Sequence, residues 1–316
     1  MTDRQAVSAS TLRTALARNE LPILPGVWDG LSARVASQAG FPALFTSGMA
    51  IAASLGLPDA DIYTMSENLD AVRRVREATD LPILADLDHG YGGALSVQRA
   101  VREFEAAGAA GVIIEDQSTP KRCPVCVDEP VLVISLDEAV ARVHAASEAR
   151  RNRSTLLVAR TDASGEDAML RAAAFVRAGA DLIFPVSKTF ATIEEWIACH
   201  HRANVPLVAC LTPGTWIEHD FTPEVMRKAG VGLALLPFHG LYSAIHAMRQ
   251  SLARVQSGED FARVSADYLH HDEFRAFIGF DEMMQVERRY AGQPGAAPTP
   301  AGNDTLTGGK GVPSRS

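Results

Sequence analysis

Several features are scarce or missing in this chain of 316 residues. Its four cysteines are too few for a disulfide framework at this length, which places the protein in a reducing compartment, the cytoplasm. No apolar run is long enough to span a bilayer, and the opening stretch MTDRQAVSASTLRTALARNE carries no apolar core of a secretory signal. No basic block offsets the formal net charge of −8, which argues against nucleic acid or an anionic membrane as partner. A Gly-x-Gly-x-x-Gly fingerprint is absent after the first apolar run, and HGYGG (89–93) has the wrong spacing for one. Residues 292–316, GQPGAAPTPAGNDTLTGGKGVPSRS, contain no aliphatic cluster and are expected to form a disordered tail. The remaining 1–291 are expected to be one folded domain, with apolar content enough for a large core.

What the chain does have is a repeat. SQAGFPALFTSG, AAGAAGVIIED, RAGADLIFPVS and KAGVGLALLPF each read as helix end, Ala-Gly, short apolar run and polar stop. Gly40, Gly108, Gly179 and Gly230 suit the left-handed position that ends a helix, since glycine has no Cβ to clash there. The apolar runs have the length of strands buried on both faces. Between them, LSVQRAVREFEAAG puts Val97, Val101 and Phe104 on one helical face and charges on the other. Strands are expected at 21–29, 43–48, 81–88, 111–116, 155–162, 181–187, 205–212 and 231–238. Eight strands alternating with helices make the α/β class with a (β/α)₈ barrel, and a doubly wound open sheet is the alternative. Helices after the barrel carry Phe274, Phe277, Ile278, Met283 and Met284, an apolar set that suggests a packing surface against another subunit.

Chemistry in such a barrel sits at the C-terminal ends of the strands. Those ends read Trp28 and Asp29, Ser47 and Gly48, Asp86 and Asp88, Glu115 and Asp116, Arg160 and Asp162, Ser187 and Lys188, Thr212, and His239. Strand side chains alternate faces, so Asp86 and Asp88 point the same way and converge with Glu115 from the next strand. Gathered carboxylates repel each other unless a cation lies among them, and hard oxygen donors at an open site favour Mg²⁺, with Mn²⁺ as a substitute. Arg160 then offers a planar fork to a substrate carboxylate or phosphonate. The competing reading makes these acids helix caps and loop anchors.

At these residues the chain resembles the isocitrate lyase/phosphoenolpyruvate mutase superfamily, over about residues 20–291. The likeness is carried by PGVWDGLSARVASQAGFPALFTSGMAIAASLGLPDAD, ILADLDHGYGG, GVIIEDQSTPKRC and LLVARTDA. It implies a (β/α)₈ barrel whose last helix swaps between paired subunits of a homodimer or homotetramer. It also implies Mg²⁺ and reactions that make or break C–C or P–C bonds beside a 2-oxo acid carboxylate. Phe45, Ser47, Gly48 and Met49 match the family's substrate loop, and Asp59 a carboxylate near the metal. Asp86, Asp88 and Glu115 match the metal-site acids, with Asp88 as the direct ligand, and Arg160 and His239 match substrate-binding positions. Lys121, Arg122 and Cys123 match the lyase loop in which Cys is the general acid, the two cations tuning its thiol.

The sequence also departs from both branches of that family. PKRCPVC (120–126) has Pro124 and Val125 where the lyases have Gly-His, and ACLTPG (209–214) lacks their Asn-x-x-Glu. Val186 stands where mutases often have His, and the mutase residues of the loop are missing too. The leading expectation is therefore a Mg²⁺-dependent C–C lyase acting through an enolate on a 2-methylisocitrate- or 2-methylmalate-like acid. A P–C phosphonomutase or phosphonopyruvate hydrolase, and a barrel that only binds a carboxylate, are the alternatives. The polar loop at 117–130 reads as a lid. Its Cys-x-x-Cys, Cys123 and Cys126, has no second pair to complete a zinc knuckle, which leaves a redox pair as a minor reading. His200-His201 and His270-His271 read as solvated helix faces. His89 reads as a neighbour of the metal waters or a loop anchor, and Trp28 and Trp216 as pocket wall or core.

Overall fold

The computed structural model describes residues 3–186 and 188–291, so the expected tail at 292–316 and Ser187 lie outside the described residues. The chain up to Met248 is one compact unit. Helix α1 (Asp3–Ala17) leads into strand β1 (Ile23–Val27), α2 (Gly30–Gln38), β2 (Leu44–Thr46), α3 (Gly48–Ser54) and α4 (Met65–Ala78). Next come β3 (Ile83–Asp86), α5 (Ala94–Ala106), β4 (Gly111–Glu115), α6 (Leu136–Ala149), β5 (Leu156–Thr161) and α7 (Gly165–Arg177). The barrel ends with β6 (Leu182–Pro185), α8 (Ile193–Ala203), β7 (Leu207–Cys210), α9 (Trp216–Asp220), α10 (Pro223–Lys228), β8 (Val231–Leu236) and α11 (His239–Gln256). All eight strands fall inside the expected ranges and close, in chain order and in parallel, into a barrel. The open-sheet alternative is thereby excluded.

Period-two alternation sorts the strand residues into two layers. Leu84, Ile113, Val158, Phe184, Val208 and Leu235 fill the interior, while Ala85, Val112, Ile114 and Ala159 pack outward with Val101, Phe104 and Phe175 of the helices. The next inward position after Leu84, Ile113 and Val158 is Asp86, Glu115 and Arg160 in turn. The same alternation that buries the aliphatic layer thus aims charge into the C-terminal mouth. Register reinforces this, because Glu115 pairs directly with Arg160 across β4 and β5.

The four repeat glycines all adopt positive φ, between 77° and 105°, immediately after a helix, as the left-handed stop requires. Helix α1 has no counterpart in the sequence reading. Its Leu12 joins the interior cluster, and Arg13 bonds the Ser154 carbonyl at 2.7 Å and Asp181 at 2.9 Å. His200 departs from the solvated face expected for it. It is half-buried, its Nδ1 lies 3.0 Å from the Val205 carbonyl oxygen, and its ring lies where a side chain at Gly230 would go.

Residues from Arg249 onward form a second compact unit. It contains the end of α11, α12 (Phe261–Ser265), α13 (His271–Ile278) and α14 (Phe280–Tyr290). No residue of α13 or α14 is buried, and Phe274, Phe280, Met283, Val286 and Tyr290 are exposed.

At β1 the barrel closes tightly enough to test. A Cβ on Gly26 would sit 2.2 Å from the carbonyl oxygen of Pro237, a backbone atom that cannot swing away. Gly26→Ala should lower stability by about 3 kcal/mol, the upper end of overpacking costs. An unchanged urea midpoint for this variant would show that β1 and β8 are not held this close.

Candidate active site

The mouth of the barrel gathers acids away from water. Asp86 ends β3 on the inward face, and its carboxylate accepts the Asp88 amide at 3.1 Å and the Gly48 amide at 3.4 Å. Among the described residues no cation pairs with it, and burial together with the Asp88 charge pushes its pKa up to about 6. Asp88 lies beyond the strand, at φ +50°, so strand alternation does not extend to it. It accepts the Tyr63 hydroxyl at 2.6 Å and the Lys121 ammonium at 2.5 Å. Lys121 also sits 2.6 Å from Asp59. Burial opposes the ammonium charge, but Asp88, Glu115, Asp59 and Asp86 outweigh it and keep Lys121 protonated.

On the other side, Arg160 lies 2.9 Å from Glu115 and holds both oxygens of Asp162, at 2.8 and 2.9 Å. The fork expected to face substrate is therefore closed on Asp162. Of five guanidinium N–H groups, two are bonded to Asp162 and the contact with Glu115 is an ion pair without a hydrogen bond, which leaves about three for a ligand. Glu115 is raised in pKa by burial, against the pull of Arg160. Two of the other rim acids follow the capping and anchoring alternative. Asp29 caps α2, and Asp116 joins Thr161 at 2.8 Å and Arg171 at 3.2 Å.

This geometry bears on a metal. Among the described residues no three His, Cys, Asp or Glu side chains converge closely enough to form a metal cage. Asp86, Asp88 and Glu115 all lie near Lys121, with Asp88 paired to Lys121 and Glu115 to Arg160. What fits is a cation held by one or two carboxylates and otherwise by water and substrate, the habit of Mg²⁺. Gly48 packs tightly beside these acids: a Cβ there would lie 2.8 Å from the Tyr63 hydroxyl, 3.0 Å from an Asp88 oxygen and 3.1 Å from an Asp86 oxygen, so no side chain fits between the helix and the carboxylates. Asp86 lines the neighbouring cavity, whereas Asp88 and Glu115 stand behind it.

The cavity is small, about 50 Å³. Asp59, Asp86 and Arg160 line it together with Phe45, Ser47 and Met49 of the β2–α3 segment. The loop after β4 closes it with Lys121, Arg122, Cys123, Pro124 and Val125, as a lid would. That loop is tied at its base by the Gln117–Val133 bridge and over the mouth by the Cys123 amide, which donates to the Asp59 carbonyl at 3.1 Å. Cys123 Sγ lies 3.9 Å from Met49 Sδ. The Cys126 thiol, burial and Asp59 all push this thiol well above its ordinary range. The expected activation by Lys121 and Arg122 does not occur, because Lys121 is committed to the acids and Arg122 is exposed. A thiol in this setting keeps its proton and is suited to donate it.

His239 begins α11, is exposed and does not line the cavity, which Pro237 and Phe238 close on that side. Trp28 and Trp216 do not line it either. Trp216 packs on Phe221, with ring centres 5.3 Å apart. His89 is buried, with Nδ1 3.7 Å from Asp61 and its carbonyl bonded by Arg142 at 3.2 Å. The sequence reading passed over Tyr63, Asn68 and Tyr91. The Asn68 amide nitrogen bonds the Asp86 carbonyl at 2.8 Å and the Tyr91 hydroxyl at 2.7 Å. Its signal was present, since Asn68 shares the buried face of α4 with Ala71, Val72 and Val75, where a polar residue needs partners.

A closed parallel barrel with buried charge at the C-terminal mouth defines the class, a (β/α)₈ enzyme. The model of the phosphoenolpyruvate phosphomutase family matches residues 12–256, and the chain belongs to that family, within the isocitrate lyase/phosphoenolpyruvate mutase superfamily. It is therefore a carbon–carbon lyase or phosphonomutase of that superfamily. The chain is 31% identical to the 2,3-dimethylmalate lyase of Eubacterium barkeri over 90% of its own length and 98% of the relative's. It is 34% identical to the 2-methylisocitrate lyase of Aeropyrum pernix over 86% and 87% of the two chains. Among solved structures, a phosphonopyruvate hydrolase in complex with oxalate and Mg²⁺ superposes with a TM-score of 0.79 at 30% identity, covering 92% and 99% of the chains. No helix among the described residues is long and apolar enough to cross a membrane.

The buried acids make the hydroxyl of Tyr63 testable. Tyr63→Phe keeps the ring and removes the 2.6 Å bond to Asp88. A hydrogen bond to a charged group contributes about 1.5–3 kcal/mol, so urea unfolding should show a loss of that size. A loss below about 0.5 kcal/mol would mean that Lys121 alone satisfies Asp88. Asp88→Ala is a poor probe of a metal, because it would strand both Tyr63 and Lys121.

Proposed function

We propose that this enzyme is a Mg²⁺-dependent lyase. It cleaves a C–C bond in a small 2-hydroxy or 2-oxo carboxylic acid of the 2-methylisocitrate or 2-methylmalate kind, through an enolate. The observation that carries this reading is the Cys123 thiol, which lines the same cavity as Asp86 and Arg160 and is buried there. Breaking a C–C bond beside a carboxylate leaves an enolate carbon that needs a proton, and Cys123 is placed to give it. Phosphonomutase chemistry transfers phosphorus and needs no such donor, whereas a phosphonopyruvate hydrolase would need one and is separated by the substrates turned over.

The substrate carboxylate takes the free N–H groups of Arg160 and the Ser47–Met49 segment at the start of α3. Phe45, Phe184 and Phe238 exclude water and restrict the substrate's bulk. Asp59 holds Lys121, and so the loop, over the mouth. His239 has no part in this reading. Mg²⁺, held by Asp86 with Asp88 and Glu115 behind it, would act as a Lewis acid on the 2-oxo or 2-hydroxy oxygen. The place of Asp86 on the cavity wall, with no cation paired to it among the described residues, supports that placement. We further propose a homodimer or homotetramer in which the last helix is exchanged, because α13 and α14 bury none of their own apolar residues. We place the protein in the cytoplasm.

Pyruvate release from a panel of 2-methylmalate, 2,3-dimethylmalate, 2-methylisocitrate and phosphonopyruvate should require Mg²⁺, accept Mn²⁺, and be greatest on a C–C substrate. Full activity in excess EDTA, or turnover of phosphonopyruvate alone, would overturn the proposal. Asp86→Asn should lose Mg²⁺ binding in calorimetry while unfolding at the wild-type midpoint or above it. Cys123→Ser should reduce kcat by about 10²–10⁴-fold with KM little changed, and Cys126→Ser should be mild. Light scattering at micromolar concentration should give at least a dimer, and a monomer would remove the helix-exchange reading.

A further inference from the structure

The reaction proposed above uses Cys123 but not Cys126, and the geometry of the Cys-x-x-Cys gives the pair a second property. The Cys126 amide donates to the Cys123 carbonyl at 3.0 Å, so residues 123–126 form a hydrogen-bonded turn. Such a turn holds its end Cα atoms within about 7 Å, and a disulfide needs about 4.4–6.8 Å. Pro124 occupies the second position of the turn, where its fixed φ favours that shape. The turn brings the two thiols near enough to influence each other's ionisation. They are also unequal, since Cys126 is exposed and Cys123 is buried against the cavity. The Cys123 thiol lowers the Cys126 pKa to about 7, so the exposed sulfur is the more readily ionised. Cys199 and Cys210 are buried, and burial pushes Cys199 up to about 12.

We propose that Cys123 and Cys126 are a site of reversible oxidation by a small-molecule disulfide, closing to a bridge that takes the cavity thiol out of use. The Cys126 thiolate attacks one sulfur of the small disulfide. That S–S bond breaks, a mixed disulfide forms on Cys126, and one small thiol leaves with a proton. Cys123 Sγ then attacks Cys126 Sγ, its proton passes to the second departing thiolate, and the internal bridge is complete. The two cysteines lose two electrons and the small disulfide gains them. The bridge needs only the turn, whereas the loss of turnover it causes rests on the assignment of Cys123 as proton donor.

The test uses the full chain in glutathione buffers of graded redox poise, followed by acid quenching, alkylation, peptide mapping and the pyruvate assay. The expected product is a peptide linking Cys123 to Cys126, lighter by two hydrogens and restored by dithiothreitol. Cys199 and Cys210 should stay reduced. Activity should fall with the bridged fraction, by about 10²-fold or more at completion, the scale of losing a proton donor. Cys126→Ser should remain active and insensitive to oxidised glutathione, and Cys123→Ser should accumulate a stable glutathione adduct on Cys126. A lasting adduct on wild-type Cys126 without a bridge, or four free thiols in excess oxidised glutathione, would overturn the proposal. A bridge that forms without loss of activity would establish the site and remove Cys123 from the lyase mechanism.

Discussion

The mouth of this barrel is governed by a shortage of positive charge. The carboxyl groups of Asp59, Asp86, Asp88, Glu115 and Asp162 face only two close cations, Lys121 and Arg160, and the side chains of Asp88, Glu115 and Asp162 are 3% exposed or less. Water cannot screen these charges at such burial, and like charges at close range disfavour joint ionisation. The protein divides the load. Asp88 and Asp59 share one ammonium, Glu115 and Asp162 share one guanidinium, and Asp86 is left to hold a proton or meet a cation from outside. A site arranged in this way fits the divalent ion proposed above, and Asp86 is the acid of the set that lines the cavity with no cation paired to it.

The same shortage positions the lid. Lys121 is the one ammonium in the cluster, and it arrives on the loop after β4. Two short ion pairs and the bond from the Cys123 amide to Asp59 hold that loop over the cavity. Closing the loop and neutralising the acids are therefore one event. Two residues after Lys121 comes Cys123, so the contact that balances charge also delivers the thiol to the cavity. Any ion that competes with Lys121 for Asp88 acts on the loop as well.

Most of the barrel was legible because one signal repeats. Ala-Gly stops, apolar runs and polar strand ends recur with each unit, and period-two alternation then fixes that Asp86, Glu115 and Arg160 face inward. Alternation stops being informative where the strand stops. Asp88 lies two residues past the inward Asp86, but its left-handed backbone breaks the rule, and its partners Tyr63 and Lys121 come from loops of other units. The closing of Arg160 on Asp162 is invisible for a similar reason, since either a substrate or an internal acid could satisfy the same fork. Helix α1 was missed because its polar surface hides the few residues, Leu12 among them, that plug the barrel. Asn68 was legible in principle, as a lone amide on an apolar helix face, but its partners lie across the sheet.

The loop's departures from its relatives can be understood from what Lys121 already does. Once Lys121 is anchored, the stretch that follows must only turn back without carrying Cys123 away. Gly-His would leave that turn free to sample many shapes. Pro124 restricts it before the chain folds, which lowers the entropy lost on ordering the loop. Val125 then meets the cavity with an apolar side chain where an imidazole would bring a charge that varies with pH. The thiol gains no cationic neighbour from this arrangement, and Cys126, burial and Asp59 keep it protonated. Rigidity and a held proton go together here. A donor for the proposed enolate needs fixed position and a retained proton, and the Pro-Val turn with its buried thiol meets both needs.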